Sequence, residues 1–190
     1  MYRGAYQSGF LSIFYSIGLK PLLNWKACCY SGSIRRITDP IIQSIVLDIR
    51  GTNASTTYIE CPACENESLG IRMPIFVMLF KNIGRFFSFE IETLDLTGFH
   101  RRFRASNSTK NTLIHQFSAI MPLFLHPGWN TVVFDLNQLM DHCYKQRFQE
   151  VTRVRINANC RLRRVYFCDR VYSEEETPLE YKVQVKNCQA

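Results

Sequence analysis

Two stretches of the chain alternate between apolar and polar residues, and this period of two constrains the fold more than any other feature. Residues 87–92 place apolar side chains at odd positions and polar ones at even positions. Residues 154–163 continue the same alternation, with apolar residues at even positions, over ten residues. Successive side chains of a β-strand point to opposite faces of a sheet, so the pattern predicts strands with one buried and one outward face.

Other short apolar runs predict further strands. They cover residues 33–38, 44–50, 56–61, 75–81, 99–106, 120–125, 129–135 and 165–169. Turn-forming residues separate several of them, at 51–53, 96–98, 127–128 and 157–159. About ten short strands with frequent turns predict an all-β fold, either a sandwich or a barrel.

One helix is predicted within this β-rich pattern. An apolar stripe recurs at helical spacing through Leu136, Leu139, Met140, Cys143 and Tyr144. Asp135 precedes it as a candidate N-cap, and Gln138 stands in the capping-box position. The pattern of residues 10–17 fits either a strand or a helix.

Composition indicates one domain over residues 1–190, because the chain has no repeat, low-complexity tract or Pro/Gly/Ser linker. With 46% hydrophobic residues, it has enough apolar side chains for a sizeable core. The longest stretch without charged residues, 111–134, contains two prolines and two histidines. We therefore expect no membrane-spanning helix.

Eight cysteines are too sparse for a disulfide scaffold, and the apolar stretch 9–19 lacks a signal-cleavage site. We expect free thiols and a reducing compartment. Cys61 and Cys64 have the spacing of half a zinc site, but no second close pair completes four ligands. Ordinary loop cysteines are favoured over a metal or redox site, and no metal or cofactor is expected.

Catalytic motifs are absent from the sequence. It contains no Gly-x-Ser-x-Gly elbow, His-Glu-x-x-His pair or phosphate-binding glycine loop. Ser173 and Glu176 are better explained as a capping box than as an acid–base pair. We therefore expect a protein without enzymatic activity.

Trp129 follows a Pro-Gly turn at the start of a predicted strand. A tryptophan there is typical of a core anchor, because its ring buries a large apolar area. The alternative is an exposed ring that stacks on sugar in a carbohydrate-binding module. The first interpretation is favoured.

Basic residues dominate one region. The net charge is +7, and residues 145–170 hold eight basic against two acidic side chains. The alternation predicts that Arg153, Arg155, Arg161 and Arg163 share one outward face. A solvated face normally mixes charges, whereas arginine suits forked pairing with carboxylates or phosphates. The predicted partner-binding residues are Arg101, Arg102, Arg104, Arg153, Arg155, Arg161, Arg163 and Arg164.

An acidic protein surface, nucleic acid or an anionic membrane would each satisfy this positive charge. Aromatic residues are not interleaved with the arginines as in RNA-recognition motifs, so specific RNA binding is not expected. A nuclear, nucleic-acid-associated role remains an alternative.

Several strings resemble one family, the cilia- and flagella-associated protein 20 family. They occur in order between residues 6 and 182, at 6–13, 15–18, 20–22, 36–39, 51–53, 55–59, 61–63, 101–107, 158–161, 163–167 and 172–174. The most distinctive are Tyr-Gln-Ser-Gly-Phe-Leu-Ser-Ile at 6–13 and Arg-Arg-Phe-Arg-Ala-Ser-Asn at 101–107.

The resemblance implies a jelly-roll β-sandwich in the axoneme of motile cilia and flagella. There the family belongs to the inner junction that joins the B-tubule to the A-tubule of each doublet. Its implied partners are tubulin of both tubules, a protein like the parkin co-regulated protein and other microtubule inner proteins. Implied locations are the cytoplasm, cytoskeleton and axoneme, with basal body and nucleus as further sites. A carbohydrate- or ligand-binding jelly roll is the alternative function.

Overall fold

A computed structural model of the protein describes residues 1–183, which form two packed β-sheets. The strands of the six-stranded sheet are β1 (Phe10–Tyr15), β3 (Gly32–Asp39), β4 (Ser44–Gly51), β6 (Ile75–Asn82), β11 (Gly128–Asp135) and β13 (Cys160–Cys168). Those of the seven-stranded sheet are β2 (Lys26–Cys29), β5 (Thr57–Cys61), β7 (Ser88–Asp95), β8 (His100–Ser106), β9 (Leu113–Ile114), β10 (Ser118–Pro122) and β12 (Phe148–Asn157).

Strand order places distant parts of the chain side by side. The six-stranded sheet runs β11-β6-β13-β4-β3, and β1 also pairs with β13. The seven-stranded sheet runs β2-β5-β12-β7-β8-β10-β9. Two short 3₁₀ helices, Ala54–Thr56 and Leu179–Tyr181, complete the regular elements of residues 1–183 together with the helix described below.

The predicted jelly-roll-like antiparallel β-sandwich with one short helix is confirmed, with one exception in strand direction. Strand β10 runs parallel to β8, with Met121 opposite Ala105. The connection 107–117 is long enough to carry the chain back before β10 begins, which a parallel pair requires. Within the ambiguous stretch 10–17, residues 10–15 form strand β1 and residues 16–17 begin a turn, so no helix is present there. The sequence pattern missed the short strands β2 and β9.

Phenylalanine rings join the two sheets in the core. Phe76 of β6 stacks on Phe89 of β7, with ring centroids 5.5 Å apart, and meets Phe167 of β13 edge-on at the same distance. Phe80 of β6 also contacts Phe87, which directly precedes β7, with ring centroids 4.7 Å apart. Aromatic pairs at these separations add to the free energy gained by burying their area.

The alternating stretch 154–163 spans two strands and both sheets. Strand β12 ends at Asn157, the chain turns through two residues, and β13 begins at Cys160 in the other sheet. The prediction that Arg153, Arg155, Arg161 and Arg163 share one outward face is therefore wrong. The periodicity continues through the turn, but the outer faces of the two sheets point in opposite directions.

Helix α1 (Leu136–Tyr144) connects the two sheets and confirms the predicted stripe. The Asp135 carboxylate caps it by accepting hydrogen bonds from the backbone N–H groups of residues 137 and 138. Leu136 and Met140 are buried, and Met140 packs against Phe103 of β8. Within residues 1–183, no helix combines the length and apolar character needed to cross a membrane.

The buried tryptophan of the core is Trp25, for which the sequence pattern made no prediction, and not Trp129. Trp129 belongs to no core cluster; it pairs with Lys81 on the outer face of the six-stranded sheet and is half-buried. The prediction of a Trp129 core anchor is wrong, because β11 turns its even-numbered residues inward. Trp25 is the buried tryptophan, 5% exposed, and its indole N–H donates to the Ile13 carbonyl at 2.8 Å.

The C-terminal segment, residues 169–183, covers part of the six-stranded sheet's outer face. Tyr172 and Tyr181 lie against Phe10, with ring centroids 4.5 and 4.7 Å apart. They cover an apolar cluster that includes Tyr166 and strand β6 residues. Ser173 and Glu176 form the predicted capping box through reciprocal hydrogen bonds of 2.9 and 3.2 Å.

Replacing each tryptophan with alanine should separate the two environments. Trp25→Ala empties a large buried site, so we expect a loss of about 3–5 kcal/mol in the free energy of unfolding. Trp129→Ala removes a half-buried ring from the outer face together with its hydrogen bond to Asp39, and the loss should be smaller, about 1–2 kcal/mol. Urea unfolding followed by circular dichroism measures both. Equal losses for the two variants would contradict the assignment.

Candidate protein-binding surface

The eight arginines predicted to bind a partner lie in three places. Four lie on the outer face of the seven-stranded sheet: Arg102, Arg104, Arg153 and Arg155. Three lie on the outer face of the six-stranded sheet: Arg161, Arg163 and Arg164. Arg101 lies at one end of the sandwich, where it pairs with Asp95 at 2.9 Å and stacks on Tyr144.

Charges alternate in sign across the outer face of the seven-stranded sheet. One row crosses five neighbouring strands through Lys26, Glu60, Arg155, Glu90 and Arg104. Opposite charges on directly opposed residues attract, and each such pair stabilises the sheet modestly. The arginines of this row are therefore partnered within the chain, and the face presents both signs to solvent.

Arg153 holds a loop in place. Its guanidinium pairs with Glu60 at 3.1 Å and donates to the carbonyls of Pro62, Cys64 and Glu65 at 2.9–3.1 Å. Five hydrogen-bond donors in a fixed fork suit arginine to this role. The side chain has little capacity left for a partner.

A different arrangement occupies the outer face of the six-stranded sheet. A row of opposed residues crosses five strands through Trp129, Lys81, Arg161, Asp48 and Arg35. The Asp48 carboxylate is fully buried and pairs with Arg161 at 3.1 Å and with Arg50 at 2.8 Å.

Asp39 is the second carboxylate beneath this row. It accepts hydrogen bonds from Arg161 at 2.7 Å, from Lys81 at 2.9 Å and from the Trp129 indole at 3.4 Å. Burial raises the pKa of Asp39, but the hydrogen bonds from Lys81 and Arg161 outweigh that effect and hold the pKa at about 2. The carboxylate therefore stays charged at neutral pH.

On this face the cationic side chains are exposed to solvent and the carboxylates are buried. Asp39 and Asp48 have no exposed side-chain area, whereas Arg35 is 66% and Arg50 38% exposed. Four cations surround two carboxylates, so a net positive charge remains. We call this surface the basic patch: Arg35, Arg50, Lys81 and Arg161, with Trp129 at its edge.

The sequence pattern identified only Arg161 of the basic patch. Arg35, Arg50 and Lys81 lie far from it along the chain and outside any dense basic run. Arg35 and Arg36 both stand between Ile34 and Ile37, so alternation does not distinguish Arg35 from Arg36. The local pattern also does not show which strands become neighbours.

Arg163 and Arg164 make contacts within the chain that stabilise the fold. A β-bulge at residue 163 turns both side chains to the outer face. Arg164 is only 3% exposed; its guanidinium lies 3.6 Å from the Tyr15 ring centroid and 4.3 Å from that of Tyr181. Arg163 donates to Ser16 at 2.9 Å. These contacts fasten the first strand and the C-terminal segment to the sheet.

Comparison with known protein families finds a match over nearly the whole chain. The family model described as the CFA20 domain matches residues 1–185. The chain belongs to the CFA20 domain family. The family resemblance drawn from residues 6–182 is thereby confirmed.

Members of the family from distant organisms are similar throughout. Cilia- and flagella-associated protein 20 of Chlamydomonas reinhardtii is 50% identical over 183 residues, covering 96% of each chain. The protein of that name from Paramecium tetraurelia is 49% identical with the same coverage. The one from Caenorhabditis elegans is 45% identical and covers 96% of this chain and 90% of its own.

A family 11 carbohydrate-binding module of a Clostridium thermocellum cellulase superposes with a TM-score of 0.48 at 8% identity. The superposition covers 89% of this chain and 99% of the module. This distant likeness supports no inference about ligands.

The cysteines of this CFA20 domain differ in exposure. Cys61 ends strand β5 inside the core at 1% exposure, so it is not the loop residue that the sequence predicts, and burial raises the pKa of its thiol to about 12. Cys64 is exposed in the loop that Arg153 holds. In residues 1–183, no group of three or more histidine, cysteine, aspartate or glutamate side chains is placed to hold a metal. Cys188 lies outside the described residues.

Alkylation of the native protein should follow this exposure. Cys29 and Cys64 are exposed and should react first with iodoacetamide, whereas Cys61, Cys160 and Cys168 are buried and should react only after unfolding. Peptide mass spectrometry reports each site. We also expect free thiols and no stoichiometric zinc in native mass spectra, and one zinc per chain would contradict the interpretation of Cys61 and Cys64.

The buried Asp39 should contribute to stability in a defined pH window. Its lowered pKa means that stability is fully present above about pH 4 and is lost as pH falls towards about 2. Asp39→Asn should lower the free energy of unfolding by roughly 2–3 kcal/mol at neutral pH. The variant should also lose less stability than the wild type as pH falls from about 4 to 2. Urea midpoints measured from pH 2 to 7 test it. Asp141→Asn, which changes an exposed carboxylate, should shift stability by less than about 0.5 kcal/mol.

Proposed function

We propose that this chain is a non-enzymatic structural protein of the cilium or flagellum that binds tubulin at the inner junction of doublet microtubules. Its membership of a family whose named members are cilia- and flagella-associated proteins supports the ciliary role. Coverage of 96% of the Chlamydomonas and Paramecium relatives supports the same role for the whole chain.

The basic patch is the observation that carries the tubulin contact. A rigid array of cations on an antiparallel sheet attracts an acidic lattice, and complementary charges raise the association rate as well as the specificity. The two carboxylates beneath the patch fix Lys81 and Arg161 in position, so these side chains lose little further freedom on binding.

Two outward faces suit a protein that bridges two tubules. The six-stranded face presents the net positive basic patch, and the opposite face presents charges of both signs. In this proposal the basic patch contacts tubulin of one tubule. The opposite face contacts tubulin of the other tubule or a neighbouring inner-junction protein, such as one like the parkin co-regulated protein.

The alternative of a carbohydrate-binding module has less support. Its sequence-based candidate was the ring of Trp129, which lies against Lys81 and donates to Asp39. A ring engaged in an ionic cluster is poorly placed to stack on a sugar. Nucleic acid remains the competing acidic partner, so the experiment includes it.

Removing two charges from the basic patch should weaken microtubule binding. We expect Arg35→Gln with Arg50→Gln to lower affinity about tenfold, which corresponds to roughly 0.7 kcal/mol for each charge. Arg161 and Lys81 are left intact because the buried Asp39 pairs with both, and Asp48 keeps its ion pair with Arg161 after Arg50 is replaced. Cosedimentation with stabilised microtubules at several salt concentrations gives the affinities, and wild-type binding should weaken as salt rises.

A matched variant changes the opposite face. Lys26→Gln with Arg102→Gln removes the same number of cations from the outer face of the seven-stranded sheet and should reduce affinity for isolated microtubules by less than about twofold. Equal losses for the two double variants would contradict the assignment to the basic patch. Duplex DNA is the competitor: if it displaces microtubules at equal phosphate and carboxylate concentrations, the nucleic-acid alternative gains support over tubulin.

A further inference from the structure

A cleft of about 880 Å³ opens at one end of the sandwich. The loop after β4 forms one wall, and the β6–β7 loop forms the other. Asn107 and Asn159, which follow β8 and precede β13, lie at its base. The basic patch ends one residue away from this cleft along β4 and β6, at Arg50 and Lys81.

Three asparagines hold the β6–β7 loop rigid. Asn82 accepts from the Gly84 backbone N–H at 2.9 Å. Asn107 accepts from Phe87 N–H at 2.8 Å and donates to the Arg85 carbonyl at 2.9 Å. The side chain of Asn159 donates to the Phe86 carbonyl at 3.2 Å and accepts from the Gly51 N–H at 2.9 Å.

Phe86 is exposed on this rigid loop. Its side chain is 73% accessible, although the residues on both sides of it are fixed by hydrogen bonds. An aromatic ring held in solvent by a preorganised backbone loses little entropy when it is covered. Such rings commonly anchor protein interfaces.

The charges that line the cleft have one sign. Arg85 and Arg104 are the ionisable residues of its lining, which includes no carboxylate. Arg85 forms no ion pair within the described part of the chain, and Arg104 approaches Glu90 only at 3.8 Å. A ligand that carries an anionic group next to an apolar group therefore complements this surface of two arginines and Phe86.

The asparagines do not favour a sugar ligand. Asn82, Asn107 and Asn159 use both ends of their amides within the protein. Sugar recognition requires such groups to bond hydroxyls. Single-stranded nucleic acid typically needs a cationic groove that tracks its backbone and several stacking rings. Two arginines and one phenylalanine match a short acidic peptide better.

We propose that this cleft binds an acidic segment of a partner protein, which packs an apolar side chain on Phe86 and places carboxylates beside Arg85 and Arg104. The site is separate from the basic patch and goes beyond the proposed binding of the microtubule lattice. It gives the protein a contact beyond those of the two outer faces, to an acidic segment rather than to a folded surface.

A defined peptide tests the cleft. The probe is a fluorescein-labelled peptide with three glutamates on each side of one phenylalanine, titrated with the full chain and followed by anisotropy. We expect saturable binding that weakens with salt. Phe86→Ala and Arg85→Glu should each weaken it at least about tenfold, or roughly 1.4 kcal/mol. Arg85→Gln, a milder change, should weaken it less than Arg85→Glu.

Another surface of the protein provides a matched control. Tyr6 is 93% exposed and lies beside Arg72 in a second open cleft, which Asp169 also lines. Tyr6→Ala with Arg72→Glu therefore removes the same kind of residues from a site that contains a carboxylate. This variant should bind the peptide like the wild type. A peptide with glutamine in place of glutamate should not bind.

Several results would overturn the proposal. They are absence of peptide binding, unchanged binding by folded Phe86→Ala and Arg85→Glu proteins, or an equal loss in the Tyr6/Arg72 control. Tighter binding of an oligothymidine that is lost in the same cleft variants would assign the site to nucleic acid instead. The cleft variants leave the basic patch intact and the patch variants leave the cleft intact, so failure of this proposal and failure of microtubule binding are distinguishable.

Discussion

Burial of alternate side chains between two sheets is the constraint on which the rest of this structure depends. Phe76 and Phe89 meet across the interface, and every long strand must turn one of its faces towards such contacts. The other face then points outward, so the polar half of each alternating stretch lies on one of two opposite surfaces. The charged side chains of the strands therefore lie on one of two outer faces, because a side chain of a sandwich strand points either into the core or outward from its own sheet.

On each outer face, the depth of the carboxylates determines the sign of the charge that a partner would contact. On the seven-stranded sheet, Glu90 and Glu92 reach the surface beside the arginines, and the face is mixed in sign. On the six-stranded sheet, Asp39 and Asp48 are buried beneath their partners. Cations pinned by buried carboxylates combine two properties that seldom occur together: they remain fixed, and they leave positive charge exposed.

At one end of the molecule, side-chain hydrogen bonds likewise fix loops that carry exposed residues. Asn82, Asn107 and Asn159 use their side chains to satisfy backbone groups that no strand neighbour reaches. An unpaired backbone group near the core is costly, so these bonds stabilise the loops that carry Phe86 and Arg85. Stability and exposure of a recognition surface thus arise from the same hydrogen bonds at this end of the sandwich.

Sequence patterns were sufficient to predict the all-β class, nearly all long strands, helix α1 with its Asp135 cap and the family. Each of these is encoded in local spacing or in strings of adjacent residues. Packing of the two sheets was needed to show that Arg153 and Arg161 lie on opposite faces, that Trp25 rather than Trp129 is buried, and that Arg35, Arg50 and Lys81 join Arg161. Periodicity fixes the alternation of side chains within a strand. It does not fix which sheet the strand joins or which distant strand it pairs with, because those depend on contacts between residues far apart in the chain.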